Sequence, residues 1–239
     1  MASKDYRFTI GYTYYEDPEL LQEQINLWKY YPPGIEIIVV DDGSSIFPAE
    51  DLLKDIKIQP HIKLYEVDED LGFNSHGCRN LIASVASSEF ILFCDIDCQF
   101  PPSDIANLKT KKFNSNSTYR FGSYSISNYR HSKQGHVNVF VVNKEKFWEA
   151  GGYDESFTGW HYGDREFLDR LEKITDNRIL SMSCTIVRGK RETIIDEDIV
   201  KTEYNNYSNT LKTPIKEKTY AEMRGTVETK INFSYTQVL

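Results

Sequence analysis

The sequence predicts an α/β protein: a mostly parallel sheet with helices on both faces and a small antiparallel element in its second half. Three observations lead there. Apolar runs of strand length alternate with helical periodicity through the first hundred residues, two of those runs end in closely spaced aspartates, and after residue 100 the alternation gives way to strand-like stretches with polar gaps. In open α/β sheets ligands bind at the carboxyl ends of the strands, so carboxylates at those ends mark one edge of the sheet as the candidate site.

Residues 8–12 (Phe-Thr-Ile-Gly-Tyr) make the first strand, and residues 18–30 place Leu20, Leu21, Ile25, Leu27 and Trp28 at helical spacing until Pro32-Pro33-Gly34 stops the helix. Residues 35–40 (Ile-Glu-Ile-Ile-Val-Val) are rich in β-branched residues, as in a strand covered on both faces, and run into Asp41-Asp42-Gly43-Ser44-Ser45. A short helix over 50–56, a strand over 62–66, a loop containing Gly72 and a helix from Ser75 to about Ala86, with Ser75 as N-cap, come next. The strand beginning at Phe90 closes this series and drives into Asp95-Ile96-Asp97. Residues 120–129 and 137–142 then suggest an antiparallel pair, and 163–174 a helix with Phe167, Leu168, Leu171 and Ile174 on one face. No internal repeat is present. One domain is expected over 1–195, with halves of about 1–100 and 101–195. Residues 196–239 form a polar C-terminal extension, either a helix on the surface or a partly ordered tail.

A chain of 239 residues with 40% hydrophobic content is long enough for a full core in one domain. The formal net charge of −8 repels phosphate backbones and argues against nonspecific nucleic-acid binding. Cys78, Cys94, Cys98 and Cys184 contain no Cys-x-x-Cys pair and are expected as free thiols in a reducing compartment. No run of apolar residues is long enough to cross a bilayer and the first residues have no apolar signal core, so a cytoplasmic protein is expected.

Asp95 and Asp97 follow a buried-looking strand, where two carboxylates one residue apart repel each other and lose solvent; a hard divalent cation carrying phosphates would relieve both costs. Asp41-Asp42-Gly43-Ser44 has two readings. Carboxylates there accept hydrogen bonds from a base N–H or ribose hydroxyls beside a sharp glycine turn, or the segment is a polar turn and nothing more.

Together these segments resemble a family. Val39-Val40-Asp41-Asp42-Gly43-Ser44, Leu71-Gly72-Phe73-Asn74 with Arg79-Asn80, Phe93-Cys94-Asp95-Ile96-Asp97, and Gly151-Gly152-Tyr153-Asp154-Glu155-Ser156-Phe157 with Gly159-Trp160 and Asp164 look like the GT-A-fold glycosyltransferases of family 2, in order and spacing, from about residue 8 to about residue 190. The resemblance implies an inverting, metal-dependent glycosyltransferase. It would move a sugar from a nucleotide-diphosphate donor, a UDP-sugar for preference, to a hydroxyl of an unidentified glycan or other acceptor. It places the donor in the first half of the domain and the acceptor in the second.

By the same resemblance Asp41 and Asp42 hold the nucleotide, Arg79 stands beside it or pairs with an acidic strand end, Asp95 contacts ribose or the ion's hydration shell, and Asp97 is the direct ligand of Mn2+ or Mg2+. Asp164 is the general base, its alternative being a helix N-cap. Relatives carry Glu-Asp where this chain has Gly163-Asp164, which removes a carboxylate used to hold an acceptor hydroxyl. Trp160 either stacks on a sugar ring or packs under its loop. Many relatives add a metal-ligating His from a later strand, yet none follows His161 here; Arg188 and Lys190 either neutralise the diphosphate in its place or form a solvated basic turn. Two other readings stand beside this one: a sugar-phosphate nucleotidyltransferase, against which the segment 11–17 lacks a glycine-rich basic loop, and a noncatalytic nucleotide-sugar or glycan-binding module.

Overall fold

The computed structural model describes residues 6–57, 60–71, 74–127, 129–155, 157, 162–187 and 233–239. Its elements in chain order are β1 (Phe8–Tyr14), α1 (Pro18–Trp28), β2 (Ile35–Asp41), α2 (Ala49–Leu53), β3 (His61–Val67), α3 (Ser75–Val85), β4 (Phe90–Asp95), β5 (Cys98–Gln99), α4 (Pro102–Thr110), β6 (Ser117–Ser125), β7 (Arg130–Ser132), β8 (Phe140–Asn143), α5 (Lys144–Glu149), α6 (Gly163–Leu171), β9 (Asp176–Ile186) and β10 (Tyr235–Gln237).

These strands form one sheet in the order β10-β3-β2-β1-β4-β8-β6-β9-β5, with β7 on β6. β3, β2, β1 and β4 run parallel, as expected from the alternation of strand and helix signals. β8 pairs antiparallel with both β4 and β6, so the predicted antiparallel element joins the second half to the same sheet. Every residue of β2 is buried, matching its continuous β-branched run, and two apolar clusters cover the two faces of the sheet. One packs α1 through Leu21, Ile25 and Trp28; the other packs α3 through Leu81 and Ile82 and α6 through Phe167, Leu168 and Leu171.

The structure revises several expectations. Ser75 is not the N-cap of α3: Asn74 holds that place, and the Ser75 hydroxyl is buried with no partner among the described residues. The long strand β9 was not foreseen, although Leu180-Ser181-Met182-Ser183-Cys184-Thr185-Ile186 alternates apolar and polar residues; its first half is exposed and begins with the polar Asp176-Asn177-Arg178, and backbone pairing to β6 carries it. Of the extension at 196–239 only residues 233–239 are described. They hold β10, which pairs antiparallel with β3 and thereby satisfies an otherwise open sheet edge; the rest of the extension, on which the expectation of a helix or partly ordered tail mostly falls, lies outside the described residues. All four cysteines are free and buried. Among the described residues no helix is long and apolar enough to cross a membrane.

Candidate active site

β2 delivers two aspartates to the carboxyl edge of the sheet, and their surroundings separate them. Asp41 accepts from the Ser44 amide at 2.9 Å through Oδ1 and from the Ala49 amide at 2.7 Å through Oδ2, so both oxygens hold the turn into α2. Burial raises its pKa, with those amides opposing. Asp42 accepts from the Asn74 amide at 2.9 Å through Oδ2, while its Oδ1 is buried with no partner among the described residues. Burial pushes Asp42 up to about 6, with the Asn74 amide and the Cys78 thiol offsetting only part of the cost. Gly43 has φ +78°, and a Cβ there would stand 2.8 Å from Asp70 Cα, so only glycine lets the chain turn this tightly. Asp41 thus holds its own turn through both oxygens, while Asp42 keeps one buried oxygen without a partner among the described residues.

α3 starts beside Asp42 and, one turn further, projects Arg79 between two acids from distant elements. Its Nη1 donates to Asp164 Oδ1 and its Nη2 to Asp95 Oδ1, each at 2.7 Å. Arg79 and Asp164 are only 4% and 7% exposed, and the guanidinium carbon lies 5.2 Å from the centre of the Tyr153 ring. Burial opposes the Arg79 charge, but Asp164, Tyr153 and Asp95 outweigh it and raise its pKa. For Asp164, burial pushes the pKa up, and Arg79 and His76 overcome it to leave the carboxyl at about 2. Asp164 lies in the first turn of α6, where the helix dipole also favours an anion, but the N-cap is Tyr162.

His76, two residues into α3, sits on the other side of Asp164. Its Nδ1 is 2.8 Å from the Phe157 carbonyl, which can only accept, and its Nε2 is 3.4 Å from Asp164 Oδ1, within ion-pair range though long for a hydrogen bond. The ring fills the space beside Gly163. A Cβ at Gly163 would run into His76 Cε1, lie 2.8 Å from Nε2 and come within 2.9 Å of Phe157 Cβ. The absent glutamate thus has a structural counterpart: an imidazole from α3 occupies the room in which a side chain at 163 would have to begin.

Asn80 pins the loop that frames this site. It donates to the Tyr153 carbonyl at 2.9 Å and to Glu155 Oε1 at 2.7 Å, and accepts from the Tyr153 amide at 2.8 Å. Gly151 and Gly152, at φ +94° and +69°, end α5 and let the chain enter that loop.

A candidate cation site lies alongside. Asp95, Cys98 and His136 bring one ligand atom each to within 4.8 Å of one another. A hydrogen bond with the Cys184 side chain, and then burial, drive the Cys98 thiol pKa well up, and the thiol is 3.4 Å from Asp97 Oδ1, so it is a proton donor more than a ligand for a hard ion. Burial also lowers His136, keeping it in the neutral form that binds metals. A carboxylate and a neutral imidazole fit a divalent ion whose other positions are taken by water and phosphate oxygens. Asp97, the expected direct ligand, lies outside this triplet in the turn after β4, where its carbonyl accepts from the Val187 amide at 2.8 Å.

The structure therefore gathers Asp42, Arg79, Asp95 and Asp164 around the start of α3, with Asp97 on the adjoining turn. Trp160, Arg188 and Lys190 lie outside the described residues. His76, His136 and Asn138, which bonds Asp164 through its side chain, were not foreseen; each stands alone in sequence. Five buried polar atoms in this region have no hydrogen-bond partner among the described residues: Asp42 Oδ1, Asn74 Nδ2, Ser75 Oγ, Asn138 Oδ1 and Tyr153 OH. Buried polar groups are almost always paired, so a cluster of orphans around the start of α3 is what the seat of a polar ligand would leave.

Residues 9–119 match a family model described as glycosyltransferase like family 2. No curated protein gave a significant sequence match. Among solved structures, S. aureus TarS superposes with a TM-score of 0.67 at 13% identity, over 91% of this chain and 41% of that one. TarS 1-349 in complex with UDP-GlcNAc gives 0.71 at 11% identity, over 91% of this chain and 69% of that one. The mannosyltransferase PcManGT from Pyrobaculum calidifontis, in complex with GDP-Man and Mn2+, gives 0.65 at 14% identity, over 95% and 71%. These likenesses establish a GT-A-like fold, and the chain spans less than half of the full TarS chain.

Proposed function

The chain carries a glycosyltransferase family 2-like domain, and from that premise we propose that it transfers a sugar from a nucleotide diphosphate, a UDP-sugar for preference, to an acceptor hydroxyl with inversion. The observation that carries this reading is the cluster of unpartnered buried polar atoms around Asp42 and the start of α3. Asp42 Oδ1 is an acceptor without a donor among the described residues, suited to a base N3–H or a ribose hydroxyl.

The acceptor oxygen forms its bond to the anomeric carbon as the bond from that carbon to the diphosphate oxygen breaks, and the electron pair leaves with the diphosphate. Asp164 receives the acceptor's proton. Tied to Arg79 with a pKa of about 2, it is a weak base. An incoming diphosphate competes for the Arg79 guanidinium, which both binds the leaving group and loosens its hold on Asp164. His76 and Asn138 keep the Asp164 carboxylate aimed while Arg79 shifts. Asp95 and His136, with Asp97 on the adjoining turn, would hold Mn2+ or Mg2+, which when bound offsets charge on the leaving diphosphate. PcManGT, with GDP-Man and Mn2+ in its structure, supports an ion of this kind.

Thermal shift with a panel of UDP- and GDP-sugars, with and without Mn2+, tests the reading. Metal-dependent stabilisation by one nucleotide sugar, with slow release of the nucleoside diphosphate, is the expected result. Release of pyrophosphate from a nucleoside triphosphate and a sugar phosphate would replace this function with nucleotidyl transfer; binding without any turnover, in the presence of candidate acceptors, would replace it with a binding module.

A further inference from the structure

A cavity of about 450 Å3 opens between β6, β7 and the end of β9, lined by Ser123, Ser125, Arg130, His131, Lys133 and Gln134, with Ile186 and Ser132 completing the wall. Its chemistry is unlike that of the molecule as a whole. In a chain of net charge −8, the lining has an arginine, a lysine and a histidine, hydroxyls and an amide, and no carboxylate among the described residues.

The cavity is a product of local geometry. The β6–β9 register shifts between Phe121 and Gly122, and such irregularities turn side chains out of the regular pleat. Gly122 is required there, since a Cβ would stand 2.6 Å from Ser183 Oγ and 2.8 Å from the Ser132 carbonyl. Beyond the shift, Ser123 and Ser125 reach the cavity while Tyr124 between them points away. The cavity also adjoins the site already described. Ile186 is paired to Cys98 and to Ser125, and the next residue, Val187, donates to the Asp97 carbonyl at 2.8 Å.

We propose that this cavity is the acceptor subsite and that it takes an anionic acceptor, a hydroxylated sugar or polyol unit carrying a phosphate or carboxylate group. This rests on the glycosyl-transfer reading above and deepens it. Arg130 and Lys133 supply charge for the anion; Ser123, Ser125 and Gln134 supply partners for hydroxyls, and Asp97 marks the direction of the donor.

The test is titration of the full chain with glucose 6-phosphate, glucuronate and glucose, followed by NMR chemical shifts, with UDP plus Mn2+ titrated into the same samples. Glucose 6-phosphate or glucuronate should shift resonances of β6 and β7 at low ionic strength, whichever responds more strongly identifying the anion as phosphate or carboxylate, and glucose should not. The Arg130→Gln/Lys133→Gln double variant should weaken that binding tenfold or more and leave UDP affinity unchanged. Equal binding of glucose, or equal binding of the anionic sugars to the double variant, would overturn the assignment. Should the wild type bind the anionic sugars but no nucleotide, with UDP, GDP and their sugars all tried, the donor reading fails and the acceptor assignment fails with it.

Discussion

Arg79 Nη1 lies 2.7 Å from Asp164 Oδ1, joining α3 to α6 across a separation of 85 residues at the centre of the buried polar cluster. The contact holds the Asp164 carboxyl at about 2 against a burial penalty that would otherwise raise it. Because the folded pKa is below the unfolded one, the contribution is present above about pH 4 and is lost as the pH falls toward 2. It amounts to about 2 kcal/mol. Asp164→Asn should flatten this part of the acid-unfolding curve, measured by urea denaturation between pH 2 and pH 5, and should cut turnover about a hundredfold or more.

Removing the cation instead leaves two acids facing each other out of water. Arg79→Met should destabilise the fold by about 3–5 kcal/mol at pH 7.5. The loss should shrink when the pH is lowered to 5, as the stranded carboxyls take up protons, and Arg79→Met/Asp164→Asn should recover part of it. Denaturation midpoints of the three variants at the two pH values check this.

Asp42 carries the opposite sign. Burial lifts its folded pKa to about 6, so the fold binds an extra proton between about pH 4 and pH 6 and loses stability as the pH rises through that window, by about 3 kcal/mol. Asp42→Asn should therefore raise the melting temperature at pH 7.5 and change little at pH 4. A residue whose replacement stabilises the protein is retained for another reason, and the same variant should weaken nucleotide binding.

Gly163 and His76 should be coupled. Gly163→Ala drives a methyl group into the imidazole and should cost about 1–3 kcal/mol. In a His76→Ala background the cost of Gly163→Ala should fall well below that, a double-mutant cycle being the measurement.

What the sequence made legible follows from burial. β2 and β4 are covered on both faces, so their apolar runs announce both the strand and the aspartates at its end. β9 was missed although its second half alternates apolar and polar residues, because its first half, beginning with Asp176-Asn177-Arg178, faces solvent and gives no strand signal. His136 was hidden differently: its loop leads into β8, whose antiparallel pairing with β4 accounts for its approach to Asp95, and nothing local in the sequence encodes that. The same holds for His76, whose imidazole meets Gly163 only because α3 and α6 pack on one face of the sheet. The resemblance located Asp164 correctly at the start of a helix; what it did not convey was the Arg79 contact that makes this carboxylate so weak a base.

The candidate cation site separates two classes of donor. Asp95→Asn and His136→Ala should each weaken Mn2+ binding about 10–100-fold in the presence of UDP, whereas Cys98→Ser should leave it within a few-fold, because the buried thiol stays protonated. Electron paramagnetic resonance of free Mn2+ provides the measurement.

Calorimetric titration of UDP, with Mn2+ present, into wild type and Asp42→Asn bears most directly on whether the orphaned polar atoms around the start of α3 seat a nucleotide. The account predicts saturable binding to the wild type and at least a tenfold weaker affinity in a variant that is no less stable. Equal affinity in both proteins would contradict it.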